Sequence, residues 1–194
     1  QHASEKWFND DLEAIESYLL NGHNRFWQRI VEFIEKLPSV SGYTTVRNVE
    51  SQGYPWRKSI SSLLQFCDEV VVVDCGSDDG SYVMLQEWSA KNSKIKLYQK
   101  IVDTKDPRFA VKVDGEMKAY ARNLCSSEWC WQQDIDEVVH QDDAVKIKSF
   151  AANLPKAIHL IALPVIEYWG DKGKVRVDIN PWKWRLSRNL NHIT

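Results

Sequence analysis

Two acidic residues one position apart, Asp134 and Asp136, are well suited in type and spacing to metal chemistry. They follow residues 129–133, whose apolar composition predicts a buried strand. Because residues two apart on a strand point to the same side, both carboxylates are expected to converge on one divalent cation, or on one cation and a ribose hydroxyl. Such a cation completes its shell with water and substrate phosphates, so the pair predicts a diphosphate site. The alternative is an acidic strand end that caps the next helix.

A third aspartate, Asp74, ends the apolar run 70–73 and begins the polar turn 76–81. Four valines between polar turn formers predict a strand buried on both faces, as in parallel sheets covered by helices. Gly76 and Gly80 allow backbone angles that are closed to other residues. Ligands of open α/β sheets bind beyond the carboxyl ends of the strands, so this turn is placed to meet a ligand. A well-capped turn without a ligand is the alternative.

The elements that must position these aspartates alternate between strands and helices. Strands are predicted over residues 40–46, 70–73, 95–99 and 129–133, and helices over 56–66, 82–91, 115–126 and 142–154. This alternation predicts a mostly parallel, doubly wound α/β sheet with right-handed crossovers. Residues 157–169, interrupted at Pro164, and the segments 175–178 and 182–188 predict a small antiparallel sheet around a hairpin turn at 171–174.

Residues before the first strand show two apolar stripes at helical spacing, which predict helices over 4–20 and 24–37. Neither helix contains a recognisable chemical group, so residues 1–38 predict a helical extension and residues 39–194 one α/β domain. The chain begins with Gln1 rather than Met and stops without an evident terminating signal. A domain truncated at its carboxyl end, as a piece of a longer protein, is compatible with this.

Composition and charge exclude several classes of function. The 194 residues are 43% hydrophobic and 27% charged, with a formal net charge of -2 and no long basic run, which gives no electrostatic argument for nucleic acid. The longest apolar stretch, 160–166, falls far below the roughly 20 residues of a membrane helix, which leaves only peripheral membrane contact open. Four cysteines without metal-binding spacing argue against zinc and favour reduced thiols in the cytoplasm.

Nine tryptophans are many for a chain of this length, and four of them fall outside the predicted core runs: Trp56, Trp169, Trp182 and Trp184. Burial is the commoner fate of tryptophan, but exposed rings also stack on sugars and bases. Arg185 and Arg188 alternate with the last two tryptophans, which predicts a cationic and aromatic face for an acceptor glycan or an anionic lipid head group. An ordinary edge strand with outward arginines is the alternative.

Four stretches follow one another in a recognisable order. They are Asn48 and Glu50 after the first strand, Asp74-Cys-Gly-Ser-Asp-Asp79-Gly-Ser, Lys118-Ala-Tyr-Ala-Arg122-Asn123, and Asp134-Ile-Asp136-Glu137. Together they resemble the successive motifs of family 2 glycosyltransferases with the GT-A fold, over about residues 40–153. The resemblance implies a nucleoside-diphosphate sugar donor, most often UDP-linked, with Mn²⁺ or Mg²⁺ and inversion at the anomeric carbon. It also implies a cytoplasmic setting and a glycan, lipid-linked or protein acceptor.

Carried over residue by residue, the resemblance implies three groups of site residues. The donor pocket would contain Arg47, Asn48, Glu50, Asp74, Gly76, Ser77 and Asp79, with Lys118 and Arg122 facing it from their helix. In this pocket Asp74 would accept a hydrogen bond from the base or ribose. Asp136 would bind the metal, with Asp134 near the ribose or assisting the metal, and His192 would add a metal or phosphate contact. Glu167 or Asp178 would take the proton of the acceptor hydroxyl.

Two other functions remain compatible with the same fold. A nucleotidyltransferase acting on sugar phosphates normally has a glycine-rich phosphate loop after its first strand, whereas residues 47–57 contain a single glycine, Gly53. A non-catalytic sugar- or nucleotide-binding module would keep the fold and the exposed tryptophans without the chemistry.

Overall fold

The computed structural model describes residues 37–108 and 113–193, together with eight residues between 21 and 31. Those eight residues are helical, and the remainder of the two predicted amino-terminal helices lies outside the described residues. The chain divides into two compact units, Gln1–Leu37 and Pro38–Thr194. All of the strands described below belong to the second unit.

Within residues 37–108 and 113–193, eight strands and four helices build the second unit. The strands are β1 (Val40–Val46), β2 (Glu69–Asp74), β3 (Ile95–Gln99), β4 (Trp129–Gln132), β5 (Leu160–Pro164), β6 (Tyr168–Trp169), β7 (Asp171–Val175) and β8 (Trp182–Arg188). The helices are α1 (Trp56–Leu64), α2 (Ser81–Lys91), α3 (Asp114–Asn123) and α4 (Gln141–Ala152). The sequence predicted all four helices, with bounds that differ by no more than a few residues. None of the helices in the described part of the chain is long and apolar enough to cross a bilayer.

Six of the strands form one sheet in the order β3-β2-β1-β4-β8-β5. The four strands β1 to β4 are parallel, whereas β8 runs antiparallel to both β4 and β5. The remaining strands, β6 and β7, form a separate antiparallel pair. This mostly parallel sheet with an antiparallel carboxyl-terminal part confirms the predicted fold class.

The sheet buries apolar side chains on both faces. On one face, Ile60 and Leu63 of α1 pack with Val70 and Val72 of β2, together with side chains from α2 and α4. On the other face, α3 packs Met117 and Ala121 against Tyr43, Val71 and Val73; this face is named the α3 face. All four valines of β2 have no exposed surface, which confirms that this strand is buried on both sides.

The hairpin after β5 differs from the prediction. Its turn lies at Gly170, where φ is 77°, a left-handed conformation that favours glycine. Asp171, predicted to begin the turn, instead begins β7. The strand predicted over 175–178 is absent from the described residues beyond Val175.

Candidate functional site

The carboxyl ends of β1, β2 and β4 lie at one edge of the sheet. Val46, the last residue of β1, pairs with Asp74, the last residue of β2. On the other side of β1, Tyr43 pairs with Gln132, the last residue of β4. Because the three strands are parallel and adjacent, Asp74 and the turn that begins at Asp134 open onto the same edge, hereafter the acidic edge.

Asp74 is fully buried, and the turn that follows it uses its carboxylate. Its Oδ1 accepts hydrogen bonds of 3.1 Å from the backbone N–H groups of Gly76 and Ser77 and from Nε2 of Gln99, and its Oδ2 accepts one from the Ser77 hydroxyl. Gly76 has a φ of 94°, and a Cβ there would lie 3.2 Å from the side chain of Ile101. Asp74 therefore orders the turn, and a bound nucleotide would have to displace an internal hydrogen bond to reach it.

Asn48 joins this turn to the loop after β1. Its Nδ2 donates to Oδ1 of Asp78 at 2.8 Å, its Oδ1 accepts from the Asp78 N–H at 2.9 Å, and its own N–H donates to the Ser77 hydroxyl at 2.9 Å. The φ of Asn48 is 53°, a left-handed conformation that asparagine tolerates better than most residues. The loops after β1 and β2 therefore form one polar wall at the acidic edge.

Asp79 strengthens the same wall at the start of α2. Its Oδ2 accepts from the Ser51 N–H at 2.9 Å, and its Oδ1 accepts from the Ser81 N–H at 3.0 Å and from the Ser81 hydroxyl. Although burial opposes ionisation, these hydrogen bonds hold the pKa of Asp79 below its usual value. The carboxylate is therefore charged at neutral pH and holds the two loops together.

Two more predicted donor-pocket residues also have protein partners. Arg47 donates from Nε to the backbone oxygen of Gly76 at 3.4 Å. Glu50 accepts hydrogen bonds on Oε1 from Nε1 of Trp56 at 2.6 Å and from Nη1 of Arg57 at 3.1 Å. Trp56, for which the sequence allowed either burial or an exposed ring, is buried. Both residues therefore stiffen the wall.

Asp134 lies half-buried between two cations. Nζ of Lys118, on α3, is 2.8 Å from its Oδ1, and Nη2 of Arg185, on β8, is 3.6 Å from its Oδ2. Gln132 donates to the same Oδ1 at 2.9 Å, and Lys118 also contacts Asp114 at 2.9 Å. Although burial opposes ionisation, Lys118, Arg185 and Gln132 hold the pKa of Asp134 below its usual range.

Arg185 is buried, which corrects the prediction of an outward arginine. Its guanidinium donates to Glu137 Oε1 and Gln132 Oε1. The other carboxylate oxygen of Glu137 accepts from the Asp134 N–H at 3.2 Å. Burial raises the pKa of Glu137, while the charge of Arg185 opposes that rise. Sequence reasoning missed this ion pair because the two residues are 48 positions apart, although Glu137 shares a turn with Asp134.

Asp134 and Asp136 do not lie on a strand. The strand β4 ends at Gln132, and residues 134–137 form a turn closed by a 3.0 Å hydrogen bond from the Glu137 N–H to the Asp134 carbonyl. Strand alternation therefore cannot align the two carboxylates, and that step of the prediction is wrong. Asp136 is exposed, with no hydrogen bond or ion pair to the described residues. Those residues contain no group of three or more His, Cys, Asp or Glu arranged to hold a metal.

Arg122 and His192 lie away from the acidic edge. Arg122 is buried and donates from Nη2 to the backbone oxygen of Arg188 at 2.7 Å. Arg188 pairs with Trp129 at the start of β4, which is the opposite edge of the sheet. His192 follows β8 at that same edge, with its ring centroid 5.8 Å from that of His159. The structure therefore does not bring Arg122, predicted to contact the donor, or His192, predicted to contact the metal, to the acidic turns.

The two predicted bases share one arginine. Asp178 accepts hydrogen bonds from Nε and Nη2 of Arg176 at 3.1 and 2.9 Å, which lower the pKa of Asp178. Glu167 lies 3.7 Å from Nη1 of Arg176 and 3.9 Å from Nζ of Lys183. Glu167 follows the end of β5, and this end pairs with the start of β8 on the side of the acidic edge. The lowered pKa makes Asp178 a weak proton acceptor.

Comparison with known proteins supports the fold. No protein-family model and no curated protein matches the sequence. The mannosyltransferase PcManGT from Pyrobaculum calidifontis, solved with GDP-Man and Mn²⁺, is similar with a TM-score of 0.52 and 14% identity over 66% of this chain and 36% of that chain. At this identity the likeness is one of fold, and it confirms the GT-A fold that the sequence motifs implied.

Two further solved structures are similar at lower TM-scores. S. aureus TarS, residues 1–349, has a TM-score of 0.49 and 16% identity over 78% of this chain and 47% of that chain. A 4-diphosphocytidyl-2C-methyl-D-erythritol synthase has a TM-score of 0.46 and 11% identity over 78% of this chain and 76% of that chain. The chain thus spans less than half the length of PcManGT and of the TarS structure.

Proposed function

We propose that this chain is the donor-binding part of a metal-dependent, inverting glycosyltransferase that uses a nucleoside-diphosphate sugar, with UDP as the expected nucleotide. The observation that supports it most is the position of two acidic turns on one sheet edge, on either side of β1. The sheet order makes β1 the point where the chain changes direction of winding, since β2 and β3 lie to one side of it and β4 to the other. Ligands of open α/β sheets bind at such a switch point.

The polar wall after β1 and β2 is the proposed nucleoside side of this cleft. Its loops are held together by Asn48, Asp78 and Asp79, so that little backbone has to be ordered when a ligand binds. The roles of Asp74 and Asn48 here are to position the loops. A rigid polar wall suits a nucleoside, whose base and ribose need fixed hydrogen-bonding partners.

The turn after β4 is the proposed diphosphate side. Its donor set of one exposed carboxylate, Asp136, beside a half-buried one, Asp134, fits Mn²⁺ or Mg²⁺ that takes its remaining ligands from water and substrate phosphates. Asp136 would hold the ion, and Asp134 would assist it or meet the ribose. When bound, the ion would neutralise charge on the departing nucleoside diphosphate.

Cationic side chains of the chain would also act on the negative charge of the departing nucleoside diphosphate. Lys118, 2.8 Å from Asp134, presents an ammonium beside the proposed diphosphate position, where it would stabilise negative charge that develops as the glycosidic bond breaks. Arg185 acts through Glu137 and Asp134, and its proposed role is to position the turn.

Glu167 is the favoured candidate to take the proton of the acceptor hydroxyl. It follows β5 on the side of the acidic edge, and the alternative carboxylate, Asp178, has a pKa lowered by two hydrogen bonds from Arg176. Glu167→Gln is expected to lower turnover by about 10² or more, the usual contribution of a general base, while Asp178→Asn retains most of it. Full turnover in both variants would mean that another group takes the proton.

A non-catalytic nucleotide- or sugar-binding module is the second candidate. It is favoured by the pairing of both carboxylates, Glu167 and Asp178, with Arg176, since a base must be free to accept a proton. Such a module would be stabilised by nucleotide without releasing sugar from any donor.

The test of the proposed function combines ligand binding with donor hydrolysis. Saturating UDP with Mn²⁺ at about 100 times its Kd is expected to add about 2.7 kcal/mol to the free energy of unfolding, measured as a rise in Tm, with GDP as the comparison. Asp136→Ala is expected to lose this stabilisation and the metal-dependent release of sugar from UDP-sugars. Glu87→Ala, which removes an exposed carboxylate on α2, is the matched control and should behave as the unmodified chain. Absence of any nucleotide response in the unmodified chain would overturn the proposal.

A further inference from the structure

The pairing of β5 with β8 contains a bulge that decides which way two tryptophans face. Ile161 pairs with Leu186, and the next pair along the strands is Ala162 with Trp184, so Arg185 has no partner on β5. An extra residue in one strand moves the side chains beyond it to the other face of the sheet.

The β5 partners identify that face. Before the bulge, Ile161 and Leu186 both join the core on the side opposite α3. Ala162 and Pro164 lie one and three residues after Ile161, and β5 has no extra residue, so both lie on the face opposite Ile161, which is the α3 face. Their partners on β8, Trp184 and Trp182, therefore lie on the α3 face as well. Without the bulge, both tryptophans would share the face of Leu186, since they lie two and four residues from it.

The two rings are open to solvent beside the proposed active site. Trp182 is 58% exposed and Trp184 is 63% exposed, whereas the neighbouring Arg185 is 7% exposed. On the same strand, Arg185 contacts the ion network of Asp134 on this face. Two rings at alternate positions are roughly 7 Å apart along a strand, so they form one broad apolar surface next to the acidic edge.

The cations of β8 are paired with acidic residues of the protein, which favours a neutral, hydroxylated ligand over an anionic membrane. Lys183, between the two tryptophans, lies 3.9 Å from Glu167. Arg185 and Arg188, the two arginines of β8, are turned into the protein: Arg185 binds Glu137, and Arg188 binds Glu128 at 3.1 Å and the Ile158 carbonyl at 3.1 Å. Neither is available for an anionic head group. Indole rings pack well on the C–H face of a sugar ring, whose hydroxyls stay in water.

We propose that Trp182 and Trp184 form a stacking platform for a sugar ring of a carbohydrate acceptor. The inference rests on the proposed function, because an acceptor must place a hydroxyl next to the donor. The platform lies on the strand that supplies Arg185 to the diphosphate side, and Pro164, which pairs with Trp182, is three residues before Glu167. An acceptor stacked there has both the donor and a proton acceptor close by.

The test measures saccharide binding by titration calorimetry in the presence of UDP and Mn²⁺. The probes are cellohexaose, chitohexaose and mannohexaose. The unmodified chain is expected to bind at least one of them, and Trp182→Ala and Trp184→Ala to weaken that binding at least tenfold. Trp184→Phe, which keeps a ring, is expected to stay within about threefold. Tyr98→Ala, on β3 at the far end of the sheet, is the matched aromatic control and should change nothing.

Several results would overturn the platform. No binding of any of the three hexasaccharides to the unmodified chain would do so, as would equal binding by the alanine variants. Tryptophan-dependent binding to phosphatidylglycerol vesicles, without saccharide binding, would assign the surface to lipid instead. The UDP and Mn²⁺ stabilisation is read separately: its absence, with tryptophan-dependent saccharide binding intact, would overturn the proposed function and leave the platform as a saccharide site.

Discussion

Two turns at the acidic edge, one after β2 and one after β4, each begin with an aspartate but use it differently. Asp74 has no exposed surface, and its partners are two backbone N–H groups, an amide and a hydroxyl, all uncharged. The side chain of Asp134 is 37% exposed and lies between Lys118 and Arg185, both cations. The first carboxylate therefore fixes a loop, and the second belongs to a charge network open to solvent.

This difference shows that residue type and position at a strand end do not decide what an aspartate does. The charge of its partners decides it. A carboxylate that satisfies neutral donors inside a turn has little left to offer a ligand. A carboxylate balanced by cations responds to an arriving anion, because the anion competes for the same cations. The ligand response of the acidic edge is therefore expected to lie in the turn after β4.

The largest effect on stability is expected from Arg185, the buried cation on β8 that contacts the second turn. Arg185→Ala leaves the carboxylate of Glu137, only 20% exposed, without its partner, which should lower the free energy of unfolding by about 3–5 kcal/mol. Arg185→Lys keeps the charge but loses the paired geometry and should cost less. Urea denaturation measures both. A loss below about 1 kcal/mol for the alanine variant would mean that the network is not a buried ion pair.

A smaller loss is expected from the first turn. Asp74→Ala removes the acceptor of two backbone N–H groups and should lower the free energy of unfolding by about 2–3 kcal/mol. Asp74→Asn retains one acceptor oxygen, so about half of that loss is expected. Hydrogen exchange of the Gly76 and Ser77 amides should quicken in the alanine variant. Unchanged exchange there, with intact stability, would contradict the positioning role of Asp74.

Acid should affect the first turn through Asp79. Its folded pKa lies below the unfolded value of about 3.9, so its contribution to stability is fully present above about pH 4 and is lost as the pH falls toward the folded pKa. Asp79→Asn should therefore flatten the pH dependence of unfolding below about pH 4. In the second turn, the pKa of Asp134 is lowered and that of Glu137 is raised, so their effects on the pH dependence of stability partly cancel. Denaturation at several pH values measures the effect. Parallel plots of unfolding free energy against pH for the unmodified chain and Asp79→Asn would refute the role given to Asp79.

The smallest effect on stability is expected from Asp136. Because it is exposed and has no partner among the described residues, Asp136→Ala should change the free energy of unfolding by no more than about 0.5 kcal/mol. The same variant is expected to lose the nucleotide and metal response. Urea denaturation without ligand checks the first statement. A large loss of stability would show that Asp136 supports the turn instead of facing a ligand.

Much of the framework could be predicted because its signals are local. The sequence predicted β1, β3 and β8 with the bounds that the structure has, and it predicted the buried run of β2, since strand periodicity and turn-forming residues are properties of neighbouring positions. The helices α1, α3 and α4 ended a little earlier than predicted, at helix ends, where local signals are weakest, and α2 ended at the predicted residue. The position of Asp134 and Asp136 on a turn could not be predicted in the same way, because β4 ends where its pairing with β1 ends.

The amino-acid sequence by itself determined that two acidic strand ends would share an edge, because parallel strands joined by helices leave their carboxyl ends together. Tertiary structure alone decided that Arg185 meets Glu137, that Arg122 and His192 lie at the other edge, and that a bulge places Trp182 and Trp184 on the α3 face. Each of these depends on which strands become neighbours and in what register. Those are contacts between distant residues, which no local pattern specifies.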